Sequence, residues 1–131
     1  DFLSALSRSR FCLVPRGHTG WVHRIAESIY SGAIPVFLMD RVTLPWENFL
    51  SFSQFAVRIR EKDVEQLPQI LSEISDEKLV EMQRFLVTVR NAFVYDDYTT
   101  WAEGGLMTLI EKELMRILHQ EKLEIEQKQS K

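Results

Sequence analysis

The residues best placed to do chemistry lie together in Pro15-Arg16-Gly17-His18-Thr19-Gly20, which follows directly on the apolar run Phe11-Cys12-Leu13-Val14. Two glycines let backbone approach a ligand closely. Where such a loop feeds a helix, the free N–H groups and the positive dipole end of that helix point at an anion, and Arg16 adds a cation. A phosphate is the natural guest. The bland reading of the same loop is a strand-to-helix turn that carries glycine for backbone reasons. Farther along, Arg24 and Glu27 stand three residues apart on the polar side of the following helix. Their functional reading puts the guanidinium on a phosphate and the carboxylate on a pair of sugar hydroxyls, and their bland reading is an i, i+3 surface ion pair worth a few tenths of a kcal/mol. His18 suits ligand contact or simple exposure better than general-base work, while His23 and His119 read as surface residues. Trp21 and Trp46 are read either as cleft walls or as core. Asp96-Asp97 is the only acidic doublet placed to imitate a metal-binding Asp-x-Asp site, but beside Tyr95, Tyr98 and Thr99 it reads as solvated loop.

These side chains need a scaffold that brings one strand end to one helix start. Phe11 to Val14 and Ile34 to Leu38 are short apolar runs bounded by Pro and Gly. They flank a helical pattern, as strands of a parallel sheet do. Val22, Ile25, Ala26 and Ile29 give that helix one apolar stripe, and Gly32 stands where a helix end wants a left-handed residue. Pro35 fits only at a strand's start or edge. Alternation over Phe55-Ala56-Val57-Arg58-Ile59 predicts a third strand. Asp63 and Gln66 resemble a capping box opening a helix through Val64, Leu67, Ile70 and Ile74, with Pro68 forcing a break or a tight first turn. Ser75 is the expected N-cap of a long helix carrying Leu79, Met82, Leu86, Val89 and Phe93, with Asp76 and Glu77 in its first turn. Tyr95 to Gly105 reads as a loop. Met107, Ile110, Leu114, Ile117 and Leu118 mark a last amphipathic helix fading into a frayed polar tail from Glu124 to Lys131. The expectation is one α/β domain, with residues 1–60 a β-α-β core and 61–131 mainly helical.

Composition agrees with that frame. The chain has 131 residues, of which 45% are hydrophobic, enough for one ordinary domain with a real core. Lys and Arg number 16 against 19 Asp and Glu, a net charge of −3, which disfavours nucleic-acid binding. Seven basic and four acidic side chains fall within the first 60 residues, so an anionic ligand belongs in the first half. The single cysteine, Cys12, reads as a buried thiol. No run approaches the roughly 18–20 apolar residues of a membrane span. A start on Asp, almost directly on a core strand, suggests a piece of a longer protein.

In this order and spacing, Phe11-Cys12-Leu13-Val14-Pro15-Arg16-Gly17, Arg24-Ile25-Ala26-Glu27, Gly32-Ala33-Ile34-Pro35-Val36 and Leu44-Pro45-Trp46 closely resemble the exostosin family of glycosyltransferases. The resemblance continues through Phe52 to Ile59 and Lys62-Asp63-Val64, and more loosely to Phe93. It implies a GT-B architecture of two Rossmann-like halves, this segment being the C-terminal, donor-binding half and the acceptor half lying outside it. It implies transfer of a sugar from a nucleoside diphosphate sugar, commonly a uridine diphosphate sugar, to a glycan or glycoprotein acceptor with inversion. By matching position Arg16, Gly17 and Arg24 would hold the diphosphate and Glu27 the ribose or sugar hydroxyls, with His18, Thr19 and Gly20 within reach. No metal or other cofactor is required on this reading, since two arginines and a helix end can neutralise a departing diphosphate. Family members are usually type II membrane proteins facing the Golgi lumen. Val22 stands where the family usually has a serine, removing one phosphate contact, and Ala33, Trp46 and Phe52 replace a frequent cysteine, phenylalanine and tryptophan. A rival expectation is a non-catalytic module that keeps this fold to assemble with a partner through its long C-terminal helix, as a hetero- or homo-oligomer.

Overall fold

A computed structural model describes residues 1–18, 23–93 and 105–129. Its elements in chain order are α1 (Phe2–Leu6), β1 (Phe11–Pro15), α2 (His23–Ser31), β2 (Ile34–Leu38), β3 (Val57–Ile59), α3 (Leu67–Ser72), α4 (Asp76–Val89) and α5 (Leu106–Gln129), with 3-10 turns at Phe52–Gln54, Glu61–Gln66 and Arg90–Ala92. The three strands form one open parallel sheet in the order β1-β2-β3, with Leu13 opposite Val36 and Val36 opposite Val57. This is an α/β fold of Rossmann-like form.

The central strand is the apolar floor. Ile34, Pro35, Val36 and Phe37 are all buried, as expected for a parallel strand covered on both faces. Ile25 and Ile29 of α2 join Val14, Ile34 and Phe37 in the main core, together with Leu79, Met82, Leu86 and Val89 of α4. Leu6, Cys12 and Ala33 form a smaller cluster beside it. Ser28 is fully buried without cost, because its hydroxyl donates to the Ile25 carbonyl at 2.8 Å.

Pro35 sits second in the central strand, yet the strand-start expectation holds for a local reason. The Ile34 amide donates toward β1, to the Arg10 carbonyl at 2.9 Å, so the next nitrogen points the other way, where β3 pairs only from Val36 onward. The proline therefore removes no ladder hydrogen bond. Gly32 closes α2 with φ +82°, as its position predicted. Ser75 caps α4 by accepting the Lys78 amide at 3.2 Å.

Several expectations need correction, among them the reach of the long helix, which ends at Val89 with Phe93 beyond a 3-10 turn. The third strand begins at Val57, not Phe55, because the Phe55 and Ala56 amides both donate to the Phe52 carbonyl in a tight turn. No capping box forms at Asp63: its carboxylate accepts from Arg60 Nε at 2.7 Å, residues 61–66 wind as 3-10, and Val64 is exposed. The α-helix starts only at Leu67, with Pro68 in its first turn. The short helix α1 had no signature in the sequence. Finally, α5 runs unbroken to Gln129 through the expected frayed tail, built from strong helix formers and tied by the Glu113–Arg116 pair at 2.7 Å. Its apolar spacing does not bring burial, however, since Leu109 is buried while Leu114 (55% exposed) and Leu118 (59%) are open. The expected loop from Tyr95 falls almost wholly on residues 94–104, outside the described residues.

A Cβ at position 32 would meet no atom within 4 Å, so only backbone strain opposes it. Gly32→Ala should lower stability in urea unfolding by about 1–2 kcal/mol, and Gly32→Asn should cost less, because Asn tolerates the left-handed region better.

Candidate functional site

In an open parallel sheet all strands end on one side, and that carboxyl edge is where the candidate loop emerges. At the end of β1 the Arg16 amide donates to the Leu38 carbonyl at 3.0 Å, which ties the departing chain to the end of β2. Gly17 and His18 then leave the sheet, and α2 begins at His23.

The first turn of α2 is electrically positive. Helix starts favour acids, and α4 has Asp76 and Glu77 there, but α2 has no acidic residue in its first turn and carries His23 and Arg24 instead. The helix dipole and the Arg24 guanidinium thus add their positive potentials rather than cancel. Below them lies a cleft of about 500 Å³ lined by Val14, Pro15, Arg16, Gly17, His23, Arg24 and Glu27. Its outline brings together Arg16, Gly17, Arg24 and Glu27, four of the residues that the sequence singles out, and adds His23, which the sequence reads as surface.

Each side chain has a distinct setting. No ion pair joins Arg24 to Glu27, so the i, i+3 surface pair is not what holds either of them. The Arg24 guanidinium lies instead over the Phe2 ring of α1, 5.7 Å from its centroid, where the ring face attracts a cation without neutralising it. Arg16 is exposed, with Nη1 3.7 Å from Glu61 Oε1. Glu27 is half-buried. His18 is exposed and does not line the cleft. Thr19, Gly20, Trp21 and Val22 lie outside the described residues, as do Tyr95, Asp96, Asp97, Tyr98 and Thr99. His119 is exposed on α5. Trp46 is half-buried in the turn after Pro45, with φ +62°, and does not line this cleft. Among the described residues no group of three or more His, Cys, Asp or Glu could hold a metal ion.

A second, larger cleft of about 660 Å³ lies beside β3, with an apolar floor including Phe52, Val57 and Met82 and a rim of Glu47, Arg58 and Lys78. Sequence reading missed it because its rim is assembled by long-range contacts. Glu47 holds Arg58 at 3.1 Å and accepts the Leu44 amide at 2.8 Å, which fixes the Leu44-Pro45-Trp46 turn.

Cys12 is a probe of the first cleft's field. Burial pushes its thiol pKa up, the Arg24 charge opposes that, and the Glu27 carboxylate reinforces it. Because the folded thiol ionises later than the unfolded one, its contribution to stability is present below about pH 8.5 and is lost as pH rises above it. Thiolate is the reactive form, so Arg24→Ala should shift the pH profile of iodoacetamide alkylation at Cys12 upward, and Glu27→Gln should shift it downward.

Over residues 2–74 the chain matches the family described as the Exostosin GT47 domain. It is 30% identical over 97 residues to a probable glycosyltransferase of Arabidopsis thaliana, covering 74% of this chain and 21% of that protein. It is 37% identical over 81 residues to probable glucuronosyltransferase 47 A of Physcomitrium patens, covering 62% and 18%. A probable beta-1,4-xylosyltransferase of Arabidopsis thaliana is 36% identical over 81 residues, covering 62% and 20%. The chain spans about a fifth of the length of these curated relatives. The matched span contains β1, α2, β2, β3 and α3, and with them every residue named above as lining the first cleft. With more than half of its length inside that domain, the chain belongs to the exostosin family.

Proposed function

We propose that this chain is the donor-binding segment of a glycosyltransferase that moves a sugar from a nucleoside diphosphate sugar, with uridine diphosphate as the carrier, to a glycan or glycoprotein acceptor with inversion. The observation that carries the reading is the start of α2: a helix N-terminus with a cation and no acid in its first turn, opening on a cleft that Arg16 and Gly17 complete. A diphosphate satisfies those donors and that charge together. Glu27, one turn on, offers a carboxylate to ribose or sugar hydroxyls.

In such a transfer the bond between sugar and diphosphate breaks, and the departing diphosphate gains negative charge. Cations and helix N–H groups already in place stabilise that charge more strongly in the transition state than in the bound donor, which is what lowers the barrier. Arg16 and Arg24 take the role that a divalent cation plays at Asp-x-Asp sites, so the reading requires no cofactor. The relatives' names bring glucuronate and xylose as the sugars to test first. The remaining parts of the reading, a GT-B architecture with an acceptor half outside this chain and a place at the luminal face of the Golgi as a type II membrane protein, rest on the family alone. No helix among the described residues is long and apolar enough to cross a membrane.

One observation favours a second reading. Leu114, Met115 and Leu118 of α5 are exposed, which suits a non-catalytic module that assembles with a partner through that helix. Titration calorimetry with uridine diphosphate separates the two. On the first reading the nucleotide binds and Arg24→Ala weakens it by about 10- to 100-fold, with the protein still folded, since Arg24 is exposed and gives up only its contact with the Phe2 ring. A folded protein indifferent to the nucleotide, or an Arg24→Ala variant that binds it as well as the parent, would turn the conclusion toward the assembly module.

A further inference from the structure

The same carboxyl edge holds a group that the donor reading does not use. Because β1, β2 and β3 are parallel, the residues after each strand share one side of the sheet: Arg16 after β1, Asp40 after β2 and Glu61 after β3. One oxygen of Glu61 touches both of the others. Its Oε1 accepts the Asp40 amide at 3.4 Å and lies 3.7 Å from Arg16 Nη1. The neighbouring cation is already engaged, since Arg60 Nε donates to Asp63 at 2.7 Å, so Glu61 has Arg16 as its cationic partner.

We infer that Glu61 is the resident counter-anion of the donor cleft: its carboxylate holds the Arg16 guanidinium at the carboxyl edge until a diphosphate displaces it. This rests on the donor reading above. The contact is built to be exchanged. At 3.7 Å it is longer than the roughly 2.7–2.9 Å of a tight charge-assisted hydrogen bond. Both side chains are also substantially exposed, 61% for Arg16 and 46% for Glu61, so water screens the pair. Glu61 keeps a backbone partner when Arg16 leaves, the long 3.4 Å contact from the Asp40 amide, and so stays near the edge as a negative charge. The free diphosphate product carries more negative charge than the esterified donor, because its terminal phosphate regains an ionisable oxygen. Repulsion from Glu61 thus falls harder on product than on donor and favours product release. Glu61 is a positioning residue: it acts on Arg16 by holding the guanidinium, and on the bound anion by its own charge.

Calorimetric titration of the full-length protein with uridine diphosphate, a uridine diphosphate sugar and uridine tests this. Glu61→Gln keeps an acceptor for the Asp40 amide and removes only the charge. It should tighten uridine diphosphate by about two- to fivefold, tighten the sugar nucleotide less, and leave uridine unchanged; a merely structural residue would move all three. The gain should shrink on an Arg16→Ala background. Unchanged or weaker uridine diphosphate binding in Glu61→Gln overturns the proposal, as does an equal gain with and without Arg16. If the parent binds no nucleotide, the donor reading falls with it. If Arg16→Ala weakens the nucleotide while Glu61→Gln has no effect, only the counter-anion falls.

Discussion

The positive potential at the amino end of α2 is the constraint around which this domain is arranged. A helix start ordinarily recruits acids, as α4 does with Asp76 and Glu77, and gains from it. The helix α2 forgoes that gain by placing Arg24 there, so its stability has to come from elsewhere. It comes from the opposite face, where Ile25 and Ile29 are buried on the sheet, and from the fixed exit at Gly32. The hydrophobic seat lets the helix carry charge at its start without unwinding, and that charge borders the cleft.

Around this point the fold distributes weak, exchangeable contacts. Arg24 rests on an aromatic face and Arg16 beside a screened carboxylate, and neither is locked into a tight ion pair. Elsewhere the chain makes short pairs readily: Arg60 with Asp63 and Arg116 with Glu113 both close to 2.7 Å. A cation held loosely can be recruited by a ligand at small cost, whereas one bonded at 2.7 Å must first break that contact. The difference between the two kinds of arginine is local geometry; Arg90, which lies over the Tyr30 ring 4.1 Å from its centroid, belongs with the loosely held kind outside the cleft.

The long helix α5 is a different kind of element. Beyond its first turns, where Leu109 is buried, it presents leucine, isoleucine and methionine side chains to solvent. Helix formation there follows from composition and from pairs along the helix itself, while burial would need a facing surface. The contrast with α4, whose apolar residues meet Phe52, Phe55 and Met39 in the main core, shows that equal periodicity gives equal helices but not equal packing.

Local order along the chain was enough to specify the β-α-β unit, the left-handed exit at Gly32, the Ser75 cap and four of the cleft residues, because each depends on neighbours within a turn or a strand. Hydrophobic spacing and turn chemistry act over those distances, and so does the motif order that marks the family. What only the tertiary structure decided depends on residues far apart in sequence. Phe2 lies beneath Arg24, Glu61 reaches Arg16 across three strand ends, Glu47 pins the Leu44-Pro45-Trp46 turn while holding Arg58, and α5 lies largely uncovered. Parallel strand order sets which loops share an edge, and a linear pattern carries no direct record of that order. A charge pair between two loops, or the exposure of a helix face, therefore becomes visible only once the sheet is assembled.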